Sequence, residues 1–120
     1  MDAEVSMIRT LGTILCLLAV TALAHHGWTG YDESKPLNVT GTIREMSYEN
    51  PHGIIKLEVT GGKTWTVWLA PPSRMDTRGL SKDAIKVGTT VSVVAYQDKA
   101  KPDEMRAERI IVAGKTTELR

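Results

Sequence analysis

The sequence predicts an all-β protein: a small five- to six-stranded barrel of the OB type, with one short helical insertion between strands 3 and 4. Short segments in which apolar and polar residues alternate are separated by turns that contain glycine or proline, which is the pattern of β-strands. One longer segment lacks this alternation and follows the third strand. Three strands, a helix and two further strands is the order of an OB barrel, and a small β-sandwich is the alternative fold.

The first predicted strand contains a change of phase. Val39, Gly41 and Ile43 alternate with polar residues, whereas Met46 continues the apolar pattern on the opposite parity. A strand that slips by one residue in this way carries an extra residue relative to its partner. We therefore predict a β-bulge near residues 44–45.

The second and third strands are predicted to form a hairpin. Apolar residues occupy every other position in residues 55–59 and 65–69, and Gly61-Gly62 between them is a signal for a tight turn. Trp65 and Trp68 fall on opposite faces of the third strand. We expect one of these rings in the core and the other on a ligand-facing surface or over an end of the barrel.

The helical insertion begins where Pro71-Pro72 ends the third strand. Gly79 divides it, and a second helical turn is expected before Gly88. Basic residues recur at every fourth position in this segment, at Arg74, Arg78, Lys82 and Lys86. Because Gly79 interrupts the pattern, we interpret these residues as a solvated face and not as one continuous basic stripe.

Two or three strands complete the barrel. Residues 91–95 alternate, and after a polar loop Met105, Ala107 and Ile111 belong to a long final strand. Residues 116–119 are consistent with a short sixth strand.

The N-terminal segment has the features of a secretory signal peptide. Residues 11–22 are mostly apolar and follow Arg9, and Ala22-Leu23-Ala24 supplies the small residues that precede a cleavage site. The apolar run is shorter than the roughly 20 residues of a membrane-spanning helix. We therefore expect residues 1–24 to be removed, giving a periplasmic protein without stable membrane insertion whose mature chain begins at His25.

The mature chain is predicted to consist of an N-terminal extended arm at residues 25–38 and a barrel domain at residues 39–120. The one cysteine, Cys16, lies in the signal peptide, so neither disulfides nor thiolate metal sites are expected after cleavage. The formal net charge of +1 gives too weak a field to attract a polyanion. We therefore expect no nucleic-acid partner, although OB folds often bind single strands.

The three histidines are the candidate metal ligands. A mature chain that begins at His25 has a free α-amine, and this amine and Nδ1 of the same residue can chelate one ion. An imidazole from His52 would complete a three-nitrogen site, a histidine brace, of the kind that copper(II) favours. His26 would be a spare ligand or a supporting group. The expected cofactor is a copper ion, and the expected role is carriage or sequestration without catalytic residues.

The geometry permits this site without requiring it. Asn50-Pro51-His52-Gly53 has the residues of a type I turn, which places His52 on an exposed loop tip. That turn lies at the far end of a strand about 36–40 Å long at ~3.3 Å per residue. The arm spans about 46–50 Å when extended. His25 therefore reaches His52 only if the arm runs back along the barrel, held there by Trp28 and Tyr31.

Other functions are compatible with the same residues. The histidines at the start of the mature chain are equally well explained as a solvated chain end. The protein is then a metal-free binding module, which uses the barrel face and the loop around His52 for a small molecule, a sugar or a periplasmic partner protein. A copper-dependent oxidase is a third class. The sequence contains no Ser-His-Asp arrangement, glycine-rich phosphate loop or CxxC motif, so we do not expect an enzyme.

Several motifs resemble one family. The AHHGW start, the ENPHG segment, the block WTVWLAPPSRMDTRGLSKDAIKVGTTVSVVAYQDKAK and the closing MRAERIIVAGKTTELR are similar to DUF6152, a family of small exported bacterial proteins of unknown function. The resemblance covers residues 24–120, and it places His25, His26 and His52 on the family's histidine positions. Thr77-Arg78-Gly79-Leu80 replaces the usual R-R-G-W, and Thr89 stands where aspartate is usual. The resemblance implies export and a shared fold, and it implies no reaction.

Overall fold

Six strands and one short α-helix account for most of residues 27–120, the part of the chain that the computed structural model describes. Within these residues no helix combines the length and apolar character needed to cross a membrane. The elements in chain order are β1 (Leu37–Ser47), β2 (Ile54–Val59), β3 (Thr64–Trp68), α1 (Pro72–Thr77), a 3-10 turn (Lys82–Ile85), β4 (Thr90–Gln97), β5 (Glu104–Val112) and β6 (Lys115–Glu118).

The first five strands close into a barrel. The sheet order is β3-β2-β1-β4-β5-β6, and β3 also pairs with β5 in parallel. This last pairing joins the two edges of the sheet, which leaves β6 as an extra strand on β5. Because strands 1-2-3-5-4 form a closed ring with the helical segment between β3 and β4, the predicted OB-like barrel is confirmed and the fold is not a sandwich.

The core follows from the period-2 alternation of the strands. Apolar residues of every barrel strand point inward, and α1 and the turns after it add Met75, Leu80 and Ile85 to the same cluster. Trp65 is buried and Trp68 is half-buried on the other face of β3, as their spacing predicts. Gly79 has a φ of +83° directly after α1, so the basic residues of this segment do not lie on one helix.

Two irregularities set which residues face the core. The register of β1 against β2 shifts between Ile43 and Glu45, which confirms the predicted bulge. A second shift places Val94 opposite Arg109 but Ala95 opposite Ala107, so Glu108 is an extra residue in β5. As a consequence Ile110 is fully buried, whereas Ile111 lies on the outer face and is half-buried.

Tyr48 connects the end of β1 to the helical segment. Its hydroxyl lies 2.7 Å from the Asp76 carboxylate and 2.8 Å from the Leu80 carbonyl oxygen, and both of these groups only accept hydrogen bonds. Burial first, and then the hydrogen bond and charge of Asp76, raise the pKa of Tyr48 to about 12 from its ordinary value of 10. The protonated hydroxyl is therefore the form that the folded state stabilises.

Replacing this hydroxyl is expected to lower stability and to alter its pH dependence. Tyr48→Phe should lower the free energy of unfolding by about 1–2 kcal/mol near neutral pH, because the Leu80 carbonyl loses its donor. The folded pKa lies above the unfolded one, so the contribution of Tyr48 is complete below pH 10 and is lost as the pH rises towards about 12. Urea unfolding between pH 10 and about pH 12 should show that the free energy of unfolding falls more steeply with pH for the wild type than for Tyr48→Phe. Tyr31 and Tyr96 titrate in both proteins, so equal slopes would contradict the role of Tyr48.

Candidate functional site

His52 lies in the connection between β1 and β2. The prediction that this connection forms a type I turn is wrong. The Asn50-Pro51 peptide bond is cis, and the segment bends without closing a hydrogen-bonded turn. The Gly53 N–H donates instead to the Ala70 carbonyl at 2.9 Å, and the Leu69 N–H donates to the Gly53 carbonyl at 2.8 Å. These two bonds extend the β2–β3 ladder, and they outweigh the local turn preference.

The His52 ring is half-buried and has a defined orientation, in contrast to the exposed loop tip that the sequence predicts. Its Nδ1 lies 3.2 Å from the Leu69 carbonyl oxygen. A carbonyl only accepts, so Nδ1 is the donor of this contact, and in the neutral form of the ring Nε2 is the nitrogen with a lone pair. Histidines that bind metals commonly have one ring N–H held by a backbone carbonyl in this way. Nε2 is therefore the nitrogen that His52 has available for a ligand.

Trp68 ends β3, which pairs with β5 at the seam where the barrel closes, and its ring contacts the ring of His52. Its ring is 6.1 Å from the His52 ring, in an edge-to-face arrangement at 72°. The indole Nε1–H donates to the Glu104 carboxylate at 2.8 Å. Across the parallel β3–β5 pair, Trp68 is in register with Arg106. The preceding pair, Val67 and Met105, is fully buried, so Trp68 and Arg106 are neighbours on the outer face of the barrel.

The described part of the N-terminal arm, residues 27–36, precedes β1 and pairs with the chain at the end of β4. The Asp32 N–H donates to the Gln97 carbonyl at 2.9 Å, and the Lys99 N–H donates to the Gly30 carbonyl at 2.9 Å. Tyr31 forms an isolated bridge with Asp98. β1 begins at Leu37, slightly before the predicted arm boundary.

Beyond this bridge the arm turns onto the outer face of β5. The Trp28 ring lies 6.2 Å from the ring of Tyr96, and the guanidinium groups of Arg106 and Arg120 lie over it at 4.1 Å and 4.3 Å. Arg106 also donates from Nη1 to the Gly27 carbonyl at 2.6 Å. The described start of the arm is thus held on Arg106.

Three neighbouring pairs link the start of the described arm to His52 along the outside of the barrel. Gly27 bonds to Arg106, Arg106 is the in-register neighbour of Trp68, and Trp68 contacts His52. The sequence required the arm to run back along the barrel, and its described part pairs with the end of β4 and then contacts Arg106 of β5. It crosses the β4–β5 side of the barrel towards the seam with β3.

The other two predicted ligands, His25 and His26, lie outside the described residues. Within residues 27–120, no group of three or more His, Cys, Asp or Glu side chains is arranged to hold a metal ion. His52 is the one imidazole of this part of the chain.

Comparison with known proteins places the chain in a family. The model of DUF6152, a family of unknown function, matches residues 13–105. The chain belongs to the DUF6152 family. The matched segment of this DUF6152 chain includes His25, His26 and His52. No curated protein matches the chain.

Among solved structures, the DUF6152 chain is similar to the ZRD-deleted mutant of TiaS in complex with agmatine, with 18% identity and a TM-score of 0.47. The match covers 74% of this chain and 25% of the TiaS chain. The DUF6152 chain thus spans about a quarter of the length of that structure.

Two residues on the outer face of the barrel, near His52 and the arm, were not identified from the sequence. Leu69 orients His52 through its backbone carbonyl, and no side-chain pattern reveals that bond. Arg106 alternates with Glu104 and Glu108 along β5, which marks it only as outward-facing. Its neighbour Trp68 comes from a strand distant in sequence, so only the closed barrel brings the two together.

Proposed function

We propose that this DUF6152 protein is an exported, periplasmic metal-binding protein that carries or sequesters copper through His25 and His52, with His26 as a spare ligand. One observation carries the proposal. His52 is half-buried and its Nδ1–H is held by the Leu69 carbonyl, so Nε2 is the nitrogen that offers a lone pair when the ring is neutral. This is the state in which an imidazole binds a metal ion with little loss of side-chain freedom.

The donor set fits copper(II). The α-amine and Nδ1 of an N-terminal His25, together with Nε2 of His52, would supply three nitrogen donors, and copper(II) is the strongest binder of such sites among the first-row divalent ions. The amine has an ordinary pKa near 8, so a metal ion displaces its proton at modest cost near neutral pH.

The position of the arm is consistent with this set. Gly27 lies two positions after His25, which corresponds to at most about 7 Å of backbone. Gly27 is held by Arg106, which neighbours Trp68, and Trp68 contacts His52. The described arm therefore reaches β5, the strand that pairs with β3 beside His52, and whether His25 and His52 hold one ion is what the titration below tests.

A copper titration tests the proposal. The chain is produced with its own leader, and the N-terminus of the purified protein is confirmed by mass spectrometry as His25. Copper(II) is then titrated against a competing chelator. We expect one ion per chain, and we expect His52→Ala to weaken binding by at least about 100-fold, beyond the 10- to 100-fold cost of losing a supporting group.

His26→Ala is the matched control. It removes the neighbouring imidazole and leaves all three proposed donors, so its effect should stay below about 10-fold. Circular dichroism should show the same β-spectrum for both variants. Equal affinities for the wild type and His52→Ala would refute the proposed site.

The alternative is a metal-free binding module for a small molecule or a periplasmic partner protein. One observation favours it: a cavity of about 320 Å³ lies where the arm meets the β4–β5 connection, lined by Asp32, Gln97, Asp98, Lys99 and Pro102. Its volume lies at the lower end of the range for small-molecule sites, and its lining supplies charged and amide groups that could bind a polar ligand. This function is preferred if the copper titration gives no tight binding and a small molecule instead perturbs the amide signals of these residues.

A further inference from the structure

The His52 ring is held by two successive residues at the end of β3. The Leu69 carbonyl accepts from Nδ1 at 3.2 Å, and the Trp68 ring packs against the imidazole edge to face, with the ring centres 6.1 Å apart. This distance and the angle of 72° between the planes are those at which aromatic rings attract one another. The orientation of the imidazole therefore depends on a packed ring as well as on one hydrogen bond.

The Trp68 ring is fixed in turn by Glu104. Its Nε1–H donates to Oε1 of the Glu104 carboxylate at 2.8 Å. In the parallel β3–β5 pair, Glu104 is in register with Thr66, which lies on the same face as Trp68, so the indole reaches diagonally across the seam. Hydrogen bonds to a carboxylate are shorter and stronger than those between neutral groups. Glu104 therefore restricts the rotation of the indole and keeps it against His52.

We propose that Trp68, held by Glu104, is a positioning residue for His52: it keeps Nδ1 directed at the Leu69 carbonyl, so that the neutral imidazole is the Nδ1–H tautomer with its lone pair on Nε2. In a histidine free in water the Nε2–H tautomer predominates, so the fold has to reverse this preference. Trp68 is not itself a ligand, because the indole nitrogen only donates. The importance of this orientation for copper rests on the proposed function, but the tautomer is measured without metal.

Lys101 and Glu104 supply the matched variants. Lys101 Nζ lies 3.5 Å from Oε2 of Glu104, the oxygen that does not accept from Trp68. Lys101→Ala thus removes a charge beside Glu104 and leaves the indole bond in place. Glu104→Ala removes the acceptor of that bond, whereas Glu104→Gln keeps an oxygen that can accept it.

The experiment records the tautomers of the histidines by long-range ¹H–¹⁵N NMR correlation in the metal-free protein purified for the copper titration. The pH is about 8.5, above the ordinary range of histidine titration. The signals of His52 are assigned by their absence from His52→Ala. Trp68→Leu should shift the ratio of tautomers towards Nε2–H by about three- to tenfold, the contribution of one aromatic pair. Glu104→Ala should shift it in the same direction by less, and Glu104→Gln and Lys101→Ala should stay within about twofold of the wild type.

Copper(II) affinity is measured on the same proteins. Trp68→Leu should weaken binding by about 10-fold, the lower end of the effect of groups that support a ligand without binding the ion. If Trp68→Leu leaves the tautomer ratio unchanged, the Leu69 carbonyl alone orients His52 and the positioning role is wrong, whether or not copper binds. A shift in Lys101→Ala as large as that in Glu104→Ala also overturns the inference, because charge and not the indole bond is then responsible.

The proposed function can fail separately. If the wild type binds no copper, that function is wrong, and the tautomer ratio still decides whether Trp68 orients His52. Melting temperatures identify any variant that loses its fold. If Trp68→Leu is unfolded, the comparison of Glu104→Ala with Glu104→Gln and Lys101→Ala decides, because these substitutions lie on the outer face of the barrel and at the loop before β5.

Discussion

Gly41→Ala is expected to destabilise the barrel by about 2–3 kcal/mol, within the range found when a packed interior receives an extra group. For a domain of this size, the melting temperature should fall by roughly 10–20 °C. A Cβ at residue 41 would lie 2.4 Å from the Glu58 carbonyl oxygen and 3.1 Å from Cγ of Leu57. The nearest of these atoms is backbone in β2, which is paired with β1 on one side and β3 on the other, so it has little freedom to move.

Two other glycines serve as controls for this prediction. A Cβ at Gly53 would meet Cε of Met75 at 2.5 Å, but that atom ends a flexible side chain and can move aside, so Gly53→Ala should cost less than Gly41→Ala. A Cβ at Gly30 would meet nothing within 4 Å, so Gly30→Ala should be close to neutral. Thermal unfolding followed by circular dichroism ranks the three variants. A melting temperature for Gly41→Ala equal to that of Gly30→Ala would show that β1 and β2 do not approach so closely.

Gly41 also explains how one strand serves two partners. It is paired with Val59 of β2 and with Val91 of β4, in the part of β1 where both ladders overlap. A strand that joins both sides of a small barrel must bend strongly, and glycine permits the close approach of backbones that results.

Features with a local cause could be predicted from the sequence. The alternation of apolar and polar residues predicts β1 to β4, because each strand buries one face. The order of the strands and the helix predicts the barrel. Gly61 and Gly62 form the β2–β3 turn with φ values of +97° and +87°, a conformation that glycine adopts without steric cost. The bulge in β1 was predictable because it changes the phase of the apolar pattern within one strand.

Features that depend on distant partners could not be predicted in the same way. The bulge at Glu108 moves Ile110 into the core, and it is set by pairing with β4. The connection around His52 has the residues of a turn, but Gly53 forms its bonds with the chain near Ala70 instead. The β3–β5 register that places Arg106 beside Trp68 exists only when the barrel closes.

The sequence indicates which side chains are candidates for the site, but not how they are oriented. His25, His26 and His52 are visible as histidines next to a cleavage motif and in a short connection. The orientation of His52 by a backbone carbonyl and the path of the arm around the barrel require the folded chain.

Extending the mature chain by one residue before His25 is expected to weaken copper(II) binding by at least about 100-fold, more than the loss of a supporting group costs. The extension converts the α-amine of His25 into an amide, whose nitrogen lone pair is delocalised into the carbonyl. One of the three proposed donors is thereby removed, while the imidazoles of His25 and His52 and every described contact of residues 27–120 stay the same. An alanine placed after Arg120 is the matched control for chain length and should leave the affinity unchanged.

The measurement is a chelator competition on both extended proteins, with hydrogen exchange of residues 27–31 to confirm that the arm stays docked. Combined with His52→Ala, the extension should have little additional effect, because removing either donor already disrupts a site that acts as a unit. Unchanged affinity after the N-terminal extension would mean that imidazoles alone hold the ion. His26 would then become the third donor, and the His26→Ala control would have to lose binding as well.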